Sequence, residues 1–197
     1  MKVLPIYPIY IVFEASILYR EAEQAIELIK RTIVRFRTNP YDLEIVSLGI
    51  MAYQADVHII RKLTPIIDID YQIDTNQLLK LFDSQRYIEP NFEKMIDALI
   101  AEISEINPNE ARWGYTVIII ADDYKLSVLY KGLGELHAQF KDIEVSLINT
   151  RRGHRSDQFM CVKSLDHIEN IGYSLFQYYE GDLDNYYPKN QVRMREI

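Results

Sequence analysis

Residues 114–123 read GYTVIIIADD. A strand with one wet face alternates apolar and polar residues; the unbroken run Val117 to Ala121 belongs to a strand buried on both faces, as in the middle of a parallel sheet. The run ends in Asp122 and Asp123. In open α/β sheets ligands bind outside the carboxyl ends of the strands, so both carboxylates are candidate site residues. A helix from about Leu126 to Phe140 and a strand at 143–149 follow, which completes a strand, helix, strand unit.

Working back toward the N-terminus, PIYIVF (8–13) is too short for a helix and rich in Ile, Val and aromatics, hence a second buried strand. It runs into Glu14-Ala15-Ser16. From Glu21 the apolar residues Ala22, Ala25, Ile26, Ile29, Ile33 and Phe36 recur at three- and four-residue spacing, the mark of an amphipathic helix. Asn39-Pro40 is expected to stop it and to be followed by a turn. LEIVSLGIMAY (43–53) and VHIIRKLTPI (57–66) read as strands; only residues 54–56 separate them, a hairpin length that makes the pair antiparallel. Residues 70–90 show little period beyond a helical turn or two around Gln77–Phe82. Phe92, Ile96, Leu99, Ile100 and Ile103 predict a helix between Pro90 and Asn107-Pro108. Beyond 149 come an arginine-rich loop, a strand at 158–163, a helix from Asp166 to Tyr179 and an aperiodic tail.

The resulting expectation is an α/β, Rossmann-like three-layer fold: a mostly parallel central sheet with one antiparallel edge strand and helices on both faces. One domain is expected over 1–180, with a C-terminal tail at 181–197. If the first and central strands are neighbours, Glu14-Ala15-Ser16 and Asp122-Asp123 converge at one crevice.

The 197 residues, 48% hydrophobic, suffice for a real core. A net charge of −7 argues against a broad nucleic-acid-binding surface. No apolar run reaches the roughly 18 residues of a membrane span, and the N-terminus lacks the zones of a signal peptide, so a cytoplasmic location is expected. Cys161, the single cysteine, excludes an internal disulfide and reads as a core thiol. Fifteen tyrosines against seven phenylalanines point toward partner contact. The pairs Tyr178-Tyr179 and Tyr186-Tyr187 suit either a docking face or packing of the C-terminal segment. His58, His137, His154 and His167 have no metal-ligand spacing. Arg151-Arg152-Gly153-His154-Arg155 is the basic cluster, either a solvated loop or a site where arginines grip a phosphate or a partner's acidic patch. Gly132 and Gly134 lack the rest of a dinucleotide fingerprint, and no phosphate-binding glycine loop or nucleophile elbow is present.

The order of elements and several residues resemble a von Willebrand factor A domain, most closely the tellurite-resistance TerY-like branch. The first strand of that branch runs into Asp-x-Ser-x-Ser, and here LPIYPIYIVF runs into Glu14-Ala15-Ser16-Ile17-Leu18. The helix ends in Asn39-Pro40-Tyr41, the hairpin reads MAYQADVHIIRKLT, and the central strand ends in Ala121-Asp122-Asp123 where the family has Thr-Asp-Gly. The resemblance implies a metal-ion-dependent adhesion site (MIDAS) that holds Mg²⁺ through oxygen ligands. Ser16 and Asp122 are retained, whereas Glu14 replaces aspartate, Leu18 replaces the second serine and the threonine position falls near Pro90, with Thr75 the nearest alternative. The motif is therefore degenerate, and no bound metal is expected; Mg²⁺ held by Glu14, Ser16 and Asp122 is the alternative. Structural roles also suit these residues: Ser16 as a helix N-cap, Glu14 and Asp122 as acceptors for backbone N–H groups. The resemblance implies a non-enzymatic scaffold or adaptor in the bacterial cytoplasm, within a tellurium-resistance, stress-response or phage-defence system, binding a protein associated with a kinase or phosphatase. Its partner face would carry Glu14, Ser16, Asp122, Asp123, Arg151, Arg152 and Arg155. An enzyme using Glu14, Asp122 and Asp123 as a carboxylate cluster is the remaining reading.

Overall fold

The protein is described by a computed structural model. It describes residues 6–15, 19–38, 40–69, 78–82, 88–111, 114–121, 126–140, 142–149 and 162–164. Along the chain these form β1 (Tyr7–Glu14), α1 (Tyr19–Thr38), α2 (Pro40–Ile45), β2 (Val46–Tyr53), β3 (Val57–Pro65) and a 3-10 turn (Ile66–Asp68). A short helical piece, α3 (78–82), is followed by α4 (Phe92–Ser104), β4 (Tyr115–Ala121), α5 (Leu126–Gln139), β5 (Ile143–Asn149) and β6 (Val162–Ser164).

The sheet order is β3-β2-β1-β4-β5-β6. Every described pairing is parallel except β2 with β3, which forms the expected antiparallel hairpin at the edge. The apolar runs of β1 and β4 are side by side, Ile11 opposite Ile118 and Val12 opposite Ile119, and every residue of both strands is buried. That position explains their sequences, because a strand covered on both faces has no use for alternation.

Odd and even residues of β1 serve two separate cores. Ile9, Ile11, Phe13 and Ala15 pack with Ile26, Ile29, Ile33 and Phe36 of α1, with Ile45 of α2 and with Leu78 and Phe82 of α3. Tyr10 and Val12 pack with Phe92, Met95, Ile96 and Leu99 of α4 and with Leu133 and Leu136 of α5. Helices thus cover both faces, and the three-layer α/β architecture is as the sequence implies. Two glycines permit close approach: a Cβ on Gly49 would stand 2.6 Å from the Tyr10 ring, and one on Gly132 would stand 2.6 Å from Ile96. Across the central pair, Tyr7 Oη and Thr116 Oγ1 share a 2.6 Å hydrogen bond that satisfies two buried hydroxyls.

The segment after α1 differs from expectation. Pro40 opens a helix, α2, instead of a turn, and β2 begins at Val46, not at Leu43. Proline lacks an N–H but needs none in a first helical turn, and its fixed φ suits that position. Of the expected strand at 158–163 only Val162 and Lys163 are described, within β6, and the helix at 166–179 and the tail at 181–197 lie outside the described residues.

Candidate functional site at the carboxyl ends of the strands

β1, β2 and β4 are contiguous and parallel, so their carboxyl ends share one edge, the place where this class of sheet binds ligands. The register sets Glu14 opposite Tyr53, and the β1–β4 pairing ends at Phe13 with Ile120, one residue short of Ala121. Glu14 is fully buried. By strand alternation its side chain follows Tyr10 and Val12 onto the α4/α5 face, next to the Tyr53 ring, which packs against Phe92 with centroids 5.4 Å apart.

Three backbone hydrogen bonds tie the loops at this edge together. Ala15 N–H donates to Tyr53 O at 2.9 Å, Asn91 N–H to Gln54 O at 2.7 Å, and Gln54 N–H to Asp56 O at 2.9 Å. The start of α4 is therefore bound to the β2–β3 turn. Asn91 Oδ1 accepts from Lys94 N–H at 3.0 Å as the N-cap of α4. Lys94 Nζ then reaches Asp56 at 2.6 Å, and that hydrogen bond with the ammonium charge holds the Asp56 carboxyl below its ordinary value.

Gln54 is the unexpected member. It is completely buried, and neither its Oε1 nor its Nε2 has a hydrogen-bond partner. It lies in the bend just past β2, where its backbone is hydrogen-bonded to both Asn91 and Asp56. A polar residue in a three-residue hairpin turn reads from sequence as solvated, so no local signal marks Gln54 as buried.

Of the residues singled out from sequence, Glu14 lies at the crevice, and Pro90 is buried just before the Asn91 cap. Pro90 offers no side-chain oxygen, and the Asn91 oxygen beside it is engaged in capping. His58 lies on β3 and His137 is exposed on α5. Ser16, Leu18, Thr75, Asp122, Asp123, Arg151, Arg152, His154, Arg155, Cys161, His167 and the two C-terminal tyrosine pairs lie outside the described residues. Among the described residues no group of three or more His, Cys, Asp and Glu gathers as a metal site requires, and no helix is long and apolar enough to cross a membrane.

At the other end of the α4/α5 face two tyrosines have displaced titrations. Burial, reinforced by Glu102, Glu105 and Tyr115, pushes the Tyr10 phenol well above its usual range. Burial first and Asp142 second raise Tyr115. Both stay neutral and serve the core.

Solved structures share this fold over most of the chain. Proximal thread matrix protein 1 from the mussel byssus aligns with a TM-score of 0.59 at 11% identity, over 90% of this chain and 49% of that one. A second structure of the mussel protein, with a zinc-occupied MIDAS motif, aligns at 0.52 and 13% identity over 88% of this chain and 45% of that one. An aerotolerance-related membrane protein from Bacteroides fragilis aligns at 0.53 and 12% identity over 87% of this chain and 98% of that one. The chain thus spans about half the length of the mussel protein. These are von Willebrand A-domain proteins, and at such identity the likeness establishes the fold: an α/β domain of the von Willebrand A type. No family profile matches the sequence. No curated protein sequence matches it either.

Proposed function

We propose that this protein is a non-enzymatic protein–protein interaction module that presents the carboxyl edge of its sheet to a partner. The observation that carries this reading is the von Willebrand A fold, with β1, β2 and β4 adjacent and parallel and with backbone hydrogen bonds tying the end of β1 to β2 and the β2–β3 turn to the start of α4. A rigid platform with loops at one edge is what presentation to a partner needs. Glu14, Ser16, Asp122, Asp123, Arg151, Arg152 and Arg155 are the residues assigned to the contact. The finer assignment, a TerY-like scaffold in the bacterial cytoplasm within a tellurium-resistance, stress or phage-defence system, draws on the sequence features Asn39-Pro40-Tyr41 and MAYQADVHIIRKLT.

The proposed module works without metal. Leu18 stands where the adhesion site needs a hydroxyl, Pro90 has no side-chain oxygen to offer and Asn91 is already a helix cap. Titration with Mg²⁺ and Mn²⁺ is expected to give no heat and no thermal stabilisation; a rise in Tm at millimolar metal would show a working site. Partner capture by the intact protein, compared with a variant carrying Ser16→Ala, Asp122→Asn and Arg151→Ala, is expected to fall. Unchanged capture removes this edge from the interaction.

A further inference from the structure

β3 closes one edge of the sheet, and its far side is covered by no described strand. It departs from a regular strand. Four residues of β2, Leu48 to Met51, span six residues of β3, Thr64 to Ile59, so two extra residues are bulged out of the ladder. Around the bulges Ile59 and Ile60, adjacent in sequence, are 44% and 37% exposed. Arg61 and Lys62 come next. Among the described residues neither side chain has an ion-pair or hydrogen-bond partner, and β3 carries no acidic residue although the whole chain has a net charge of −7.

We propose that the β3 edge is a second docking surface, separate from the carboxyl edge, that takes an extended acidic segment of a partner protein. An apolar pair beside two unpaired cations matches a segment that places apolar side chains on Ile59 and Ile60 and carboxylates on Arg61 and Lys62. The regular pairing with β2 runs only from Val57 to Ile59 before the first bulge, so an added strand finds few main-chain partners. Bulges and cations of this kind blunt an edge against indiscriminate pairing and leave selection to side chains. A second copy of this chain fits poorly. Arg61 is the midpoint of Val57–Pro65, so symmetric antiparallel pairing would set Arg61 against Arg61, and like charges directly opposite repel.

Fluorescence polarisation of the intact protein tests this with two labelled peptides, one built on Val-Val next to Glu-Glu and one on Val-Val next to Lys-Lys. The acidic peptide is expected to bind, more weakly as salt rises, and to perturb the amides of Val57 to Lys62 in NMR spectra. Arg61→Glu with Lys62→Glu, the first half-buried and the second exposed, is expected to weaken it about tenfold. The carboxyl-edge variant above should leave it unchanged, which separates this surface from the proposed partner face. Failure to bind, equal binding of the two peptides, or indifference to the double reversal overturns the proposal. So does a monomer–dimer equilibrium in sedimentation that the reversal abolishes, which would assign the edge to a second copy.

Discussion

β1 and β3 flank the same strand, β2, and are of nearly equal length, eight and nine residues. All of β1 is buried, while β3 mixes half-buried and exposed residues and has no fully buried one. β1 keeps a continuous register with β2 from Tyr7 opposite Val46 to Glu14 opposite Tyr53; β3 bulges twice against the same partner. The contrast teaches that strand position, more than strand composition, sets how much each side chain contributes. Ile11 and Ile60 are the same residue type on two strands paired with β2, yet one touches only protein and the other touches water.

The largest effect that tests this contrast is Ile11→Ala, which leaves a cavity between β1 and α1 and is expected to cost about 3–4 kcal/mol in denaturant unfolding. A loss under 1 kcal/mol would show a core that collapses onto the gap. Gly49→Ala comes next, because its Cβ would meet the Tyr10 ring on neighbouring β1; the expected loss is about 2 kcal/mol, again by chemical denaturation. Gln54→Leu should change stability in the opposite direction. Removing a buried amide without a partner is expected to raise stability by about 1 kcal/mol, measured as an upward shift in Tm. A fall would mean that a buried water satisfies the amide. On β3, Ile60→Ala should stay within about 0.5 kcal/mol of wild type, which calorimetry can resolve.

The smallest effect concerns Asp56 at the turn between β2 and β3. Its carboxyl titrates below the ordinary value in the folded protein, so its pairing with Lys94 contributes stability above the unfolded carboxylate range. That contribution fades as pH falls through the lowered folded value. Asp56→Asn should therefore lower Tm slightly at neutral pH, leave the acid end nearly unchanged, and so flatten that part of the acid limb of a Tm-against-pH curve. A curve that keeps its full acid slope would assign the slope to other carboxylates.

Much of the fold is legible in the sequence because local pattern and final environment agree. Val117 to Ala121 carries no polar residue and lies beside β1 at the centre of the sheet, and residues 54–56 are too few to do anything except reverse the chain. Pro40 is misread because proline both ends helices and starts them, and only the packing of Ile45 against the α1 face chooses between the two. The candidate site is less legible. Glu14 stands out as a carboxylate at a strand end, but Asn91 looks like any helix cap and Gln54 like any turn residue. What distinguishes them is the Asn91 N–H to Gln54 O hydrogen bond, which joins residues 37 positions apart in the chain.

By itself the sequence determines the element types, the antiparallel hairpin and the central parallel strands, because hydrophobic period and loop length act over a few residues. It also places Leu18, which has no side-chain oxygen, two residues after Ser16. Only the tertiary structure decides that β1 lies between β2 and β4, that Gln54 is buried with no partner for its amide, and that β3 lies at the edge, its two cations unpaired among the described residues. Those facts depend on which segments become neighbours, and neighbours are chosen by how two apolar faces of one sheet are covered, a choice that no single stretch of chain encodes.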